Sequence, residues 1–101
     1  MSYFFRFRST DEIAPSTPRV GLTVGKVMGK AVDRNRIKRR MREAVRHNLA
    51  ALSATVDVVL HPKRSVIDLD FAALEREIAS VFLAIQRASE KQAAGRPQAA
   101  N

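Results

Sequence analysis

The 101-residue sequence contains no cysteine and no tryptophan. Without cysteine, disulfide bonds, thiol nucleophiles and thiolate-bound zinc are excluded. The two histidines, His47 and His61, are separated along the chain and neither has an acidic residue beside it, so the sequence offers no metal-ligand cluster and no Ser/His/Asp site. No apolar run approaches the roughly 18 residues that a membrane-spanning helix needs.

The N-terminus does not resemble a targeting signal. Residues 1–12 interleave aromatic residues with arginine, and they lack the separate apolar stretch and the small-residue cleavage site of a secretory signal. The default expectation is therefore a soluble protein of the cytoplasm. With 46% hydrophobic and 28% charged residues, the composition predicts one globular domain, at 1–88, followed by a polar and disordered tail at 89–101.

Positive charge is concentrated in one segment. The chain has 18 Lys+Arg against 10 Asp+Glu, a net charge of +8 and a pI near 11.1. Residues 26–46 hold nine of the basic residues and only two acidic ones, and therefore carry +7 of that net charge. A small domain with this excess usually binds a polyanion. The rest of the chain is almost balanced and has the composition of a scaffold.

Hydrophobic patterning predicts five elements in the order β-β-α-β-α. Aromatic and aliphatic alternation predicts strands at 3–8 and 19–24, and the nearly continuous apolar run at 56–60 predicts an interior strand. Apolar stripes at helical spacing predict a helix that starts within 31–34 and ends near residue 52, and a second that ends near residue 88. This order implies an α+β two-layer sandwich, a small sheet with the helices on one face.

Turn and cap residues separate these elements. Loops are predicted at 9–18 and 61–67, and Gly25 and Gly29 bracket a turn before the basic helix. The first helix has Asp33 as one candidate N-cap, and an earlier start is also possible. The last helix is predicted to be capped by Asp68 or Asp70.

The basic helix has two sides. At about 100° per residue, an apolar stripe lies opposite a polar row. Like charges four residues apart cost roughly a few tenths of a kcal/mol per pair, and this repulsion is better tolerated against a polyanion. We weigh nucleic acid as the partner against an acidic membrane or protein, and against a face that only contacts solvent, and the charge favours nucleic acid.

The side chains of the polar row fit such a partner. The planar guanidinium group of arginine fits phosphate oxygens, and an asparagine can contact a 2′-OH or base edge. The row consists of Asn35, Arg39, Arg42 and Arg46, with Lys38 on one flank and Arg36 and Arg40 on the other.

The first strand allows two interpretations. Tyr3, Phe5 and Phe7 point one way and Phe4, Arg6 and Arg8 the other. The three aromatic residues of the first set could belong to the core, which is the commoner outcome, or form a platform on which unpaired bases stack. One face of the strand can be packed under the helices while the other lies open.

Residues 19–46 contain a specific motif. The sequence Ala-Val-x-Arg-Asn-Arg-x-Lys-Arg at 31–39, the strand before it, the Lys26/Gly29 turn and the following apolar strand resemble the bacterial ribonuclease P protein component family. The resemblance covers about residues 3–88. It implies a left-handed βαβ crossover, which the usual handedness rule would not predict, in a sandwich like one domain of a small-subunit ribosomal protein.

The resemblance also implies a function. Members of this family bind the catalytic RNA of ribonuclease P, which uses Mg²⁺ to cut the 5′ leader from precursor tRNA, so no protein residue is expected to be catalytic. The alternative is a ribosome-associated or general RNA-binding protein. The residues expected to contact the catalytic RNA are Lys26, Lys30, Arg34, Asn35, Arg36, Lys38, Arg39, Arg42 and Arg46. The residues expected to contact the leader are Tyr3, Phe5, Phe7, Arg6 and Arg8.

The N-terminus differs from the family pattern. Family members begin with a basic segment and a short aromatic helix that forms one wall of the leader cleft, whereas this sequence starts almost at the first strand. Either the natural start lies upstream or the cleft is shallower in this protein. Because a sheet that lost a packed helix would expose apolar surface, we favour the upstream start.

Overall fold

The computed structural model describes residues 1–8, 17–52 and 55–94 of the chain. The strands and helices follow one another in the predicted order, and single turns of 3-10 helix lie at Lys26–Met28, Leu49–Ala51 and Arg64–Ile67. The larger elements are β1 (Ser2–Phe7), β2 (Arg19–Leu22), α1 (Ala31–Asn48), β3 (Val56–His61) and α2 (Phe71–Ala94). Most of the loop predicted at 9–18 and the end of the predicted tail, 95–101, lie outside the described residues.

The three strands form one mixed sheet in the order β1-β3-β2. The central position of β3 confirms the interior strand that its apolar run predicts. β1 runs antiparallel to β3, whereas β2 runs parallel to it and is connected to it through α1. The β2-α1-β3 connection is therefore the βαβ unit that the resemblance implies, and its handedness stays a prediction.

Both helices pack on the same face of the sheet, so the α+β sandwich is confirmed. Alternate residues of β3 are buried against the helices, while Val59 between them is 38% exposed on the other face. The apolar stripes predicted for α1 and α2 enter the same core as β3. The buried residues that form its centre are Ile37, Met41, Ala44, Val56, Val58, Leu60, Leu74, Ile78, Phe82 and Ile85.

The structure decides the helix boundaries that the sequence leaves open. Lys30, and not Asp33, is the N-cap residue of α1, and the α-helix ends at Asn48 before a 3-10 turn completes the segment to residue 51. Asp70 directly precedes α2, where its carbonyl accepts a 3.0 Å hydrogen bond from the Leu74 N–H. The helix continues to Ala94, so the prediction of disorder is wrong for 89–94. Residues 90–94 consist of glutamate, lysine, glutamine and alanine, which all favour a helix. The more polar composition of this segment therefore does not terminate α2.

Gly29 fixes the turn that leads into the basic helix. Its backbone has φ 123° and ψ −162°, a combination that essentially only glycine adopts. We expect Gly29→Ala to lower the free energy of unfolding by about 1–3 kcal/mol, measured by urea denaturation. Gly25→Ala is the matched control, because Gly25 at the other end of the turn has φ −90° and open space around its Cα. Equal stability of the two variants would contradict this prediction.

Candidate nucleic-acid interface

The outer side of α1 carries three arginines that no described acidic residue neutralises. Ile37 and Met41 bury the opposite side of the helix in the core, which fixes its rotation. Arg36, Arg39 and Arg42 are exposed, and none forms an ion pair or hydrogen bond within the part of the chain that the structure describes. Their guanidinium groups are therefore available to phosphate oxygens.

Arg46, the last member of the predicted row, is partly neutralised. Its Nη2 donates hydrogen bonds to both carboxylate oxygens of Glu43, at 2.8 and 2.7 Å. The Arg46 side chain is 71% exposed, so the pair is a surface ion pair of small energetic value. The hydrogen bond from Arg46 is the main reason why the pKa of Glu43 is lowered. The carboxylate is thus ionised near neutral pH and would compete with a bound phosphate for Arg46.

The remaining predicted RNA contacts extend the positive surface toward the start of α1. Lys26 and Lys30 are exposed before the helix and Asn35 is exposed on its first turns, whereas Arg34 and Lys38 are half-buried. Cations at a helix N-terminus face the positive end of the helix dipole, which is electrostatically unfavourable. A bound polyanion would relieve this repulsion.

Arg40 differs from the exposed arginines of α1, because its guanidinium group contacts other parts of the protein. Its Nη2 donates a hydrogen bond to the carbonyl oxygen of Leu69, and its guanidinium carbon lies 5.7 Å from the ring centroid of Phe71. The group is thus held at the junction of α1 and α2. Nothing in the sequence indicates this contact, because the carbonyl acceptor lies 29 residues away.

His47 has acidic neighbours that are not adjacent to it in the chain. Its Nδ1 lies 2.5 Å from a carboxylate oxygen of Glu75 on α2, and its Nε2 lies 2.9 Å from one of Glu43 on α1. The sequence shows no acid beside either histidine, because these partners are four and 28 residues distant. Within the described residues, no three His, Cys, Asp or Glu side chains are grouped to hold a metal ion.

The strand register decides which aromatic residues face the solvent. Tyr3, Phe5 and Phe7 pair with the buried residues of β3 and therefore lie on the helix side of the sheet. Tyr3 and Phe7 pack against the core, which supports the commoner of the two interpretations, and Phe5 is 40% exposed. Phe4 lies on the opposite face, is 67% exposed and packs edge-on against His61.

The carboxylate of Asp57, on the same open face of the sheet, forms ion pairs with three arginines. Its position in β3 is opposite Arg6 in one neighbouring strand and Arg19 in the other. Arg8 Nη1 lies 2.6 Å from Asp57 Oδ1, Arg19 Nε lies 2.8 Å from the same oxygen, and Arg6 Nη2 lies 3.1 Å from Oδ2. Asp57, Arg6, Arg8 and Arg19 are called the Asp57 cluster below.

Arg8 has a structural position, although the sequence assigned it to the leader. Its side chain is completely buried, and it also donates hydrogen bonds to the carbonyl oxygens of Val56 and Thr17. It thus connects the end of β1 to β3 and to the segment before β2. Arg6 and Arg19 are largely exposed and can present guanidinium groups to a ligand on the open face.

Fold and charge together define a small, strongly basic α+β domain that exposes three arginines on the outer side of one helix, with no ion pair to any described residue. The chain belongs to the ribonuclease P protein family, because the model of the family described as Ribonuclease P matches residues 2–86. No helix in the described part of the chain is both long and apolar enough to cross a bilayer.

Curated relatives share this family. The ribonuclease P protein component of Finegoldia magna is 43% identical over 63 residues, which cover 62% of this chain and 56% of that protein. That of Stutzerimonas stutzeri is 40% identical over 85 residues, covering 83% and 63% respectively. The chain thus spans between about half and two thirds of the length of these relatives.

Solved structures show the same fold. The RNase P protein from Thermotoga maritima superposes with a TM-score of 0.67 at 24% identity, covering 81% of this chain and 74% of that one. The RNase P protein of Staphylococcus aureus superposes with a TM-score of 0.60 at 23% identity, covering 82% and 71%. The three-stranded sheet with two helices is therefore the fold of this family.

Proposed function

We propose that this chain acts as the protein subunit of ribonuclease P, an endoribonuclease. It binds the catalytic RNA and the 5′ leader of precursor tRNA, and it assists the removal of the leader. The proposal rests mainly on the exposed arginines on the outer side of α1, in a chain that belongs to this family. Arg36, Arg39 and Arg42 are exposed, unpaired within the described residues and supported by a helix whose other side is buried.

The RNA performs the hydrolysis in this proposal. Magnesium activates water and stabilises the charge that develops on a phosphoryl group, and the RNA holds most of it. The protein contributes charge and position. Arginines of α1 neutralise phosphates that crowd together where the RNA folds, and this neutralisation favours the folded RNA and the magnesium ions bound to it.

The leader is assigned to the open face of the sheet. Phe4 and Val59 expose apolar surface there, while Arg6 and Arg19 place guanidinium groups beside it. Stacking on an aromatic ring and contacts to phosphates are what a single strand needs for binding without sequence preference. This assignment replaces Tyr3, Phe5, Phe7 and Arg8 with Phe4 and Arg19 and retains Arg6.

Loss of the exposed ring should weaken substrate binding specifically. We expect Phe4→Ala to lower the affinity of the reconstituted enzyme for precursor tRNA with a long leader by about tenfold, because stacking contributes roughly 1–3 kcal/mol per base. Affinity for mature tRNA should not change. Leu83→Ala removes a comparably exposed apolar side chain from α2 and should change neither affinity. Equal losses with and without the leader would contradict the assignment.

Reconstitution tests the proposed function as a whole. The full chain is mixed with ribonuclease P RNA and precursor tRNA at a magnesium concentration too low for the RNA alone, and the release of the leader is measured. Restored cleavage supports the proposal. Binding of the RNA without cleavage would indicate a general RNA-binding protein instead. Absence of RNA binding would leave an acidic protein or membrane as the partner, and either result overturns the proposal.

A further inference from the structure

A shallow depression lies between α1 and the start of α2. Its volume is about 570 Å³, within the roughly 300–1,000 Å³ of small-ligand sites. One ridge of α1 forms one wall, and the chain that leads into α2 forms the other. This depression is called the Arg40 pocket, and its lining residues are Arg36, Arg39, Arg40, Glu43, Ile67 and Phe71.

We propose that the Arg40 pocket holds one unpaired nucleotide of the catalytic RNA. Arg36 and Arg39 bind its phosphate, and its base stacks on the guanidinium plane of Arg40. The inference rests on the proposed function and adds to it a binding subsite and a base-stacking residue. In the sequence, Arg40 lies only on the flank of the polar row, and it is not among the residues expected to contact the catalytic RNA.

Arg40 is prepared for stacking before any ligand arrives. The hydrogen bond to the Leu69 carbonyl holds one side of its guanidinium, and the guanidinium carbon lies over the ring of Phe71. His47 packs edge-on against the same ring, with 6.0 Å between the centroids. A long side chain that is already immobilised loses little rotamer entropy on binding. Guanidinium planes are among the surfaces on which unstacked RNA bases are recognised.

The chemistry of the pocket favours an unpaired nucleotide over a duplex backbone. A duplex presents phosphates and sugars to a protein surface, and the exposed arginines of α1 are sufficient for those groups. The pocket adds a planar cation over an aromatic ring and the apolar side chain of Ile67. These surfaces are complementary to a flat base, whereas a phosphate would leave them uncovered.

Glu43 determines how the nucleotide is oriented in the Arg40 pocket. Its pKa is lowered chiefly by the hydrogen bond from Arg46, so an anion lies on this wall near neutral pH. The carboxylate repels a phosphate from its own side of the pocket and can accept a hydrogen bond from the exocyclic amino group of a base. The phosphate is therefore expected toward Arg36 and the base toward Glu43.

The test compares binding and base protection in the complex of the full chain with ribonuclease P RNA. Phe71→Leu keeps an apolar side chain and every charge but removes the ring beneath Arg40. Arg40→Gln keeps a donor for the Leu69 carbonyl but removes the planar cation. Arg87→Gln is the matched charge control, since it lies on α2 roughly 24 Å along the helix from Phe71. Circular dichroism and melting confirm that each variant is folded.

We expect Phe71→Leu and Arg40→Gln each to weaken RNA binding by about tenfold. The salt dependence of binding by Phe71→Leu should stay that of the wild type, because no phosphate contact is lost. Chemical probing should find at least one unpaired base that the wild-type protein protects and that both variants leave reactive.

Several outcomes would overturn the inference. If the wild-type chain binds the RNA and both variants match it in affinity and base protection, the pocket is unoccupied while the proposed function stands. The inference also fails if nucleoside monophosphates bind the free protein but do not change the affinity or the base protection in the RNA complex. The pocket would then bind a free nucleotide, and the proposed function would still stand. If the wild-type chain does not bind the RNA, the proposed function fails as well.

Discussion

Replacing Asp57 with asparagine is expected to lower the midpoint of thermal unfolding by about 15 °C. The substitution removes the carboxylate of the Asp57 cluster and leaves the positive charge of Arg8 in the interior. Arg8 has a fully buried side chain, and a buried charge that loses its partner is strongly destabilising. The asparagine amide also directs donors toward guanidinium groups, which need acceptors.

Acidification should have a related effect on the wild-type protein. The hydrogen bond from Arg19 is the largest cause that holds the pKa of Asp57 well below its usual value, with further contributions from Arg8 and Arg6. A depressed pKa in the folded state means that the carboxylate stabilises the fold fully above about pH 4, the ordinary value for aspartate. This contribution is lost as the pH falls below that value. The difference between the wild type and Asp57→Asn should therefore be constant near neutral pH and narrow in acid.

Two further variants separate the buried charge from the surface pairs. Arg6→Gln removes a guanidinium that is 64% exposed, and exposed ion pairs contribute little to stability. It should therefore melt close to the wild type. Adding Arg8→Met to Asp57→Asn removes the stranded charge and should recover most of the loss. Melting of Asp57→Asn within a few degrees of the wild type, or no recovery in the double variant, would contradict this account.

Regular periodicity explains what the sequence could predict. The apolar stripe that includes Ile37 and Met41 locates the inner side of α1, and therefore also the outer side that carries Arg39 and Arg42. The continuous apolar run of β3 indicates its central position in the sheet. Both inferences depend only on the spacing of residues within one element.

Contacts between elements explain what the sequence could not predict. Alternation places Tyr3 and Phe5 together, but the pairing of β1 with β3 decides that their face is the helix side and that Phe4 faces the solvent. The strand order also places Asp57 between two arginines that lie 51 and 38 residues away. The first strand and the family resemblance therefore assigned Arg8 to the leader, although its side chain is buried and bonded to a carboxylate of the protein.

The second large effect is expected on RNA binding. Arg39→Gln combined with Arg42→Gln should weaken the complex with ribonuclease P RNA by about a hundredfold or more, because charged hydrogen bonds contribute roughly 1.5–3 kcal/mol each. The slope of log affinity against log salt should become shallower by about one unit per lost phosphate contact. Equilibrium binding of labelled RNA at a series of potassium chloride concentrations measures both quantities.

Arg46→Gln provides the sharpest comparison, because it removes the same charge from the same row. Since Glu43 already neutralises part of Arg46, we expect a smaller loss of affinity and a smaller change in slope than for Arg39→Gln or Arg42→Gln. Arg87→Gln on α2 should have still less effect. Equal losses for all four single variants would mean that only net charge matters and that α1 has no oriented contact with the RNA. A graded series would instead indicate that the RNA lies along Arg39 and Arg42, because proximity to the RNA distinguishes substitutions of equal charge.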